Sequence, residues 1–283
     1  PADQTLTILQ SDARTEKIKP VSQKAKLFTP ADTLPFQHEE NAYIDFKTEF
    51  LLPHKLSTFG PRMSIADVNN DGFTDVFFGS AAGYKNTMLL QHSSGFATTD
   101  QPALAADSMN EDGESTFFDA DKDGDLDLYI VSGGNEFEVG SPDLQDRLYL
   151  NDGKGNFTKA THRLPSDSIA GLCIAPCDFD RDGDIDLFIG GCVQQGRYGL
   201  PVRSSLLMND RGNFIDVTEK WCASLTVAGM VMDATWSDVN GDQRPDLILV
   251  GEWMPVRIFI QNGNKLEEHL SEGIPNSSGW WNC

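Results

Sequence analysis

No apolar run in the 283-residue chain approaches the ~20 residues a helix needs to span a bilayer. The longest are short, as in Leu247 to Val250, so no transmembrane segment is expected. Neither a basic start nor an apolar stretch follows Pro1-Ala2-Asp3-Gln4, so the pattern of a secretory leader is missing too. Helical periodicity is nearly absent, which excludes a helical solenoid. Basic side chains are scarce: 22 Lys and Arg face 43 Asp and Glu, a formal charge of −21. The imbalance lies beyond residue 60, because residues 1–60 hold 7 basic and 8 acidic side chains. A body this negative repels nucleic acid, which removes that class of partner. The five cysteines (Cys173, Cys177, Cys192, Cys222, Cys283) include no Cys-x-x-Cys pair, so a zinc site is not expected. Gly-x-Ser-x-Gly and a phosphate-cradling glycine loop are missing, and the five His are scattered. The chain therefore reads as a non-enzyme, and His54, beside Lys55, as structural.

What is present is repetition. Four acidic nine-residue segments begin at Asp67, Asp119, Asp178 and Asp238, at spacings of 52, 59 and 60 residues. Each lies between apolar runs; those that follow are Val76-Phe-Phe, Leu128-Tyr-Ile-Val, Leu187-Phe-Ile and Leu247-Ile-Leu-Val. Further on, Met88-Leu-Leu-Gln, Leu148-Tyr-Leu-Asn, Leu206-Leu-Met-Asn and Ile258-Phe-Ile-Gln each enter a polar, Gly-containing turn. Apolar Phe96, Phe157, Phe214 and Leu266 restart the chain, which is a hairpin signature. Each unit reads as strand, acidic loop, strand, connection, strand, turn, strand. An all-β fold is expected, a β-propeller of four-stranded antiparallel blades. Units two and three carry inserts, Gly133 to Asp146 and Gly190 to Val202, between their second and third strands.

The acidic segments have the pattern of calcium loops. Oxygen ligands stand at positions 1, 3, 5 and 9: Asp67, Asn69, Asp71, Asp75; Asp119, Asp121, Asp123, Asp127; Asp178, Asp180, Asp182, Asp186; Asp238, Asn240, Asp242, Asp246. Position 7 (Phe73, Asp125, Asp184, Arg244) can add a backbone carbonyl. Such sets suit a hard cation taking six to eight oxygens, whereas magnesium prefers a tighter octahedral shell with more water. Position 6 is Gly in three loops, which permits a positive φ. The fourth has Gln243 there and Gly241 two residues earlier, so a strained or altered turn with weaker binding is expected. About four Ca²⁺ ions are expected in all. No Glu follows at position 12 of the first loop, which is Phe78, and the flanks are strand-like, so these are not EF-hands.

Asp67-Val-Asn-Asn-Asp-Gly-Phe-Thr-Asp-Val-Phe-Phe-Gly79 and its three counterparts resemble the FG-GAP, or VCBS, repeats of integrin-α-like propellers. A narrower resemblance is to bacterial VCBS-repeat proteins that carry an ASPIC/UnbV domain and are related to cartilage acidic protein. It rests on Leu51-Leu-Pro-His-Lys-Leu-Ser-Thr-Phe-Gly-Pro61, Gly229-Met-Val-Met-Asp-Ala-Thr-Trp236 and Gly251-Glu-Trp253. The resemblance implies about seven blades in a full domain, with four and the start of a fifth, at Gly279-Trp-Trp-Asn-Cys283, falling here. Residues 1–12 resemble the closing strand of a preceding ASPIC/UnbV-like domain, residues 13–60 read as a linker and lead-in, and residues 61–283 as the partial propeller.

Family propellers place calcium loops on one face and engage ligands on the other, so the two inserts are the expected recognition surface. The expected function is a secreted or cell-surface calcium-binding module that binds a protein or glycan, within a cell-surface or outer-membrane assembly. The alternative is part of a carbohydrate-active enzyme whose catalytic site lies outside the loops. Calcium loops imply an extracytoplasmic compartment, where weak sites fill. Asn156-Phe-Thr and Asn276-Ser-Ser match the glycosylation pattern, a common chance match. Cys173 and Cys192 fall nearly opposite each other if the first two strands of unit three pair, which leaves a disulfide or two buried thiols as alternatives.

Overall fold

The computed structural model describes residues 34–60, 62–166, 169–269 and 277–281. Residues 1–12, read as the closing strand of an upstream domain, lie outside them.

Four antiparallel sheets follow one another along the chain, each with its strands in sequence order. Blade one comprises β1 (Met63–Ala66), β2 (Asp75–Phe78), β3 (Thr87–His92) and β4 (Gly95–Thr98). Blade two has β5 (Asp112–Phe118), β6 (Asp127–Ser132), β7 (Arg147–Asn151) and β8 (Phe157–Lys159). In blade three these are β9 (Ala170–Cys177), β10 (Asp186–Val193), β11 (Ser205–Asp210) and β12 (Asn213–Asp216). Blade four contains β13 (Met230–Ser237), β14 (Asp246–Met254), β15 (Arg257–Gln261) and β16 (Leu266–His269). The first strands of successive blades lie side by side, β1 by β5, β5 by β9 and β9 by β13. This is the blade arrangement of a β-propeller.

The core is a set of layers between blades. Phe77 and Met88 meet Leu128, Ile130 and Tyr149 between blades one and two. Val131 and Leu148 meet Ile174 and Leu187 in the next layer, and Phe188 and Leu206 meet Val231, Leu247 and Phe259 in the third. A sheet covered on both faces has no solvent side, so its inner strands read as unbroken apolar runs. Every residue of β2, β6 and β10 is buried, and each large apolar side chain so covered stabilises by about 1.5–3 kcal/mol.

Strand polarity sorts the connections. Each acidic loop joins strands one and two, and the hairpin between strands three and four turns at the same end. The inserts after β6 and β10 therefore lie at the opposite end, and there they meet the lead-in segment. Asp45, fully buried, accepts from Leu56 N at 3.2 Å, Ser57 N at 3.1 Å and Ser57 Oγ at 2.6 Å. Asn135 Nδ2 of the first insert donates to the same Asp45 at 3.2 Å. Tyr198 N of the second insert donates to Glu49 at 3.0 Å. Leu52 and Leu56 join Leu144, Leu172 and Val193 in a core of their own.

Cys173 is paired with Gly190 rather than with Cys192, which sits at a bulge between Gly191 and Val193. Both are buried free thiols, and burial pushes the Cys192 thiol up to about 12. Cys283 lies outside the described residues. The residues expected to open a fifth unit instead join blade four: β17 (Gly279–Trp280) pairs antiparallel with the far end of β14, Trp280 opposite Glu252 and Gly279 opposite Met254, and so extends that sheet rather than starting another.

Candidate metal centres

All four loops follow one path. Positions 4 and 6 take left-handed backbone in every copy: Asn70 and Gly72, Lys122 and Gly124, Arg181 and Gly183, Gly241 and Gln243. The fourth turn is therefore not altered. Gln243 adopts φ 66°, where the other loops have Gly at 87–96°, and bears the cost of left-handed backbone in a residue with a Cβ. Gln243→Gly should stabilise the protein by about 1 kcal/mol, read as a higher urea midpoint at unchanged slope; an unchanged or lower midpoint would refute the strain.

Two nets of backbone hydrogen bonds shape each loop. The position-5 carboxylate accepts the N–H of position 7: Phe73 N to Asp71 at 2.9 Å, Asp125 N to Asp123 at 3.0 Å, Asp184 N to Asp182 at 2.8 Å and Arg244 N to Asp242 at 2.8 Å. The position-1 carboxylate accepts the N–H of position 6: Gly72 to Asp67 at 2.8 Å, Gly124 to Asp119 at 3.1 Å, Gly183 to Asp178 at 3.1 Å and Gln243 to Asp238 at 2.8 Å.

Position 9 does more than its spacing indicates. Asp75, Asp127, Asp186 and Asp246 are fully buried. One oxygen of each accepts the N–H of position 2, from Val68, Ala120, Phe179 and Val239, at 2.9–3.1 Å. The other accepts the N–H of the last apolar-run residue on strand three, from Gln91, Asn151, Asn209 and Gln261, at 2.8–2.9 Å. The side chains of three of those residues then reach the preceding blade. Asn151 donates to the Val68 carbonyl at 2.8 Å, Asn209 to that of Ala120 at 2.8 Å and Gln261 to that of Phe179 at 2.6 Å. Position 2 of each of the first three loops is thus held on both sides, by its own blade through N–H and by the next through C=O. The recurrence of Gln or Asn after each third-strand run was the available sequence signal, and its role needed the blade packing to be seen.

The loops divide into two kinds. In loops two and three, carboxylate oxygens of Asp119, Asp121 and Asp127, and of Asp178, Asp180 and Asp186, lie within 4.8 Å of one another. Asp119 Oδ1, Asp121 Oδ1 and Asp178 Oδ1 are buried without a hydrogen-bond partner. Convergent, desolvated carboxylates that lack donors are costly unless a cation joins them. Burial, reinforced by these neighbours, pushes Asp127 up to about 6 and Asp186 up to about 7. In loops one and four the position-3 residue is Asn, whose amide donates to the position-5 carboxylate, Asn69 to Asp71 at 3.1 Å and Asn240 to Asp242 at 3.2 Å. Backbone N–H groups, that of Gln243 first, hold Asp238 below the usual carboxylate range. The residues present in loops two and three fit a hard cation.

At position 7, Asp184 turns its side chain away from its own loop to ion-pair with Lys122 of the preceding one. Arg181 likewise reaches the Gln243 carbonyl of loop four. Among the described residues, no helix is long and apolar enough to cross a membrane.

The blades and loops together define a class: a repeat protein built of four-stranded blades, each with an acidic loop between its first two strands. The family model for the FG-GAP-like repeat matches residues 67–130 and 119–189. The chain carries FG-GAP-like repeats, which supports an FG-GAP repeat family. Among solved structures it is similar to an Agrocybe aegerita lectin described as recognising non-reducing terminal N-acetylglucosamine, at 15% identity and a TM-score of 0.43. That similarity covers 73% of this chain and half of the lectin chain. No curated protein matches.

Proposed function

We propose that the chain is a calcium-stabilised propeller module, extracytoplasmic and non-enzymatic, that binds a protein or glycan through the end opposite its loops. The observation that carries the calcium reading is the set of buried, donorless carboxylate oxygens on Asp119, Asp121 and Asp178. Oxygen-only donors in a curled loop suit Ca²⁺ better than magnesium or a thiolate- and imidazole-seeking metal. A bound ion would supply charge neutralisation and cross-linking, and would leave the clustered carboxylates unavailable as acid or base. The narrower ASPIC/UnbV relationship and a membrane-anchored assembly belong to the same reading.

Thermal melts across pH test the calcium reading. In EDTA the folded chain holds protons on Asp127 and Asp186 at about 6 and about 7, whereas the ordinary value is 3.8. The unfolded chain gives those protons up first, so apo stability is greatest below pH 3.8 for these groups and falls as pH rises through about 7. Calcium should abolish that fall, adding about 2.7 kcal/mol at a hundredfold excess over Kd. A pH-independent apo melt, or no shift on adding calcium at pH 7.5, would count against it.

A further inference from the structure

Past the bulge at Met232 of β13, β14 ends on Glu252-Trp253-Met254, at the end of blade four remote from the loop. Trp253 is 63% exposed and sits at φ 57°, left-handed backbone that is rare and strained for a bulky residue. Its indole is nevertheless fixed. Trp253 Nε1 donates to Tyr198 Oη at 3.0 Å, and that hydroxyl donates to Glu252 Oε2 at 2.7 Å. Glu252 is 1% exposed, and its other oxygen accepts from His54 Nε2 at 2.8 Å. Trp280 stands beside them, its ring centroid 5.8 Å from that of Trp253 with planes 37° apart, and 5.3 Å from that of His54. Trp253, Ser278, Gly279 and Trp280 line an open cavity of 370 Å³ here.

We infer that this is a carbohydrate subsite, in which a pyranose lays a C–H face on Trp253 and Trp280 and turns a hydroxyl toward Ser278. The inference rests on the binding-module reading and narrows its partner to a glycan. Four features converge on it. Two tryptophans, 63% and 42% exposed, stand side by side here and present ring faces to a ligand. Strained backbone and a buried Glu–Tyr network hold one indole in place, which removes its ordering cost at binding. The negative π faces attract the weakly positive C–H bonds of a sugar ring, while the rim offers the Ser278 hydroxyl. The two ring planes are tilted by 37°. A cage for a quaternary ammonium closes rings around the cation, and the nearby Glu252 carboxylate is already engaged by His54 and Tyr198. Tyr198 comes from the second insert and His54 from the lead-in, so four separate chain segments build the site.

The test is a titration of the calcium-loaded chain with the methyl glycosides of glucose, galactose, mannose and the N-acetylhexosamines, up to about 50 mM, followed by tryptophan fluorescence and calorimetry. Saturable binding of at least one glycoside is expected, weakened about tenfold or more (about 1.4 kcal/mol) in Trp253→Ala and by a smaller factor in Tyr198→Phe. Both variants should keep the wild-type calcium-dependent melt, which separates a lost subsite from a lost fold. Trp280→Ala serves in place of any variant that fails that control. Saturable binding that survives Trp253→Ala and Trp280→Ala removes the subsite and keeps the glycan reading. No response to any glycoside removes both. Saturation by tetramethylammonium alone overturns the sugar assignment in favour of a cation.

Discussion

Asp186→Ala should destabilise the chain by about 3 kcal/mol even in EDTA, more than losing an ion ligand would explain. Asp186 accepts Phe179 N at 3.1 Å and Asn209 N at 2.8 Å from a fully buried position. Each buried N–H left without an acceptor costs about 1–3 kcal/mol. The exposed Asp182 of the same loop is the control. Asp182→Ala in EDTA should unfold near wild type and lose only the calcium increment. Urea unfolding of both variants, with and without calcium, separates the two duties of the loop. Equal apo stabilities for the two variants would show that position 9 acts through the ion alone.

Arg147→Met should cost about 3–5 kcal/mol. Arg147 and Asp112 form an ion pair of 2.7 Å with both side chains about 1% exposed. Asp112 Oδ2 also accepts Ser80 N at 2.9 Å, so the pair ties blade two to the end of blade one. Burial alone would lower the Arg147 pKa, but Asp112 and its neighbours reverse that, and the net direction is upward. Removing the guanidinium strands a carboxylate that has no route to water. Asp112→Asn added to Arg147→Met removes the stranded charge while keeping an acceptor for Ser80, and should restore more than half of the loss. A double variant no more stable than the single one would show that packing, rather than charge, carries the effect.

The blades and loops were legible because they recur. An acidic ligand pattern at matching positions, flanked each time by apolar runs, leaves little freedom for another fold. What recurs only as identity was legible as a pattern without a role. Asn151, Asn209 and Gln261 stand at equivalent places, but a hydrogen bond to the preceding blade is a fact of tertiary packing. The difference between loops two and three and loops one and four turns on Asn at position 3, which spacing treats as another oxygen donor. Its amide hydrogens matter only once the loop has curled and brought position 5 within reach. Residues 35–60 looked like connecting chain, being polar and punctuated by proline, yet Asp45 orders them through donors 11 and 12 residues on and one 90 residues on. The aromatic site was the least legible part. His54 and Gly251-Glu-Trp253 stood out singly, and only the fold brings them together with Tyr198 and Trp280.

The cross-ties between loops bear on how the molecule would fail under load. Lys122 grips the third loop and Arg181 the fourth, while Asn209 and Gln261 pull on residues inside the second and third. Tension applied along the chain would therefore reach each mineral knot through its neighbour before any sheet could peel. Single-molecule stretching in calcium should show blades two to four rupturing as one event, and in chelator as a staircase.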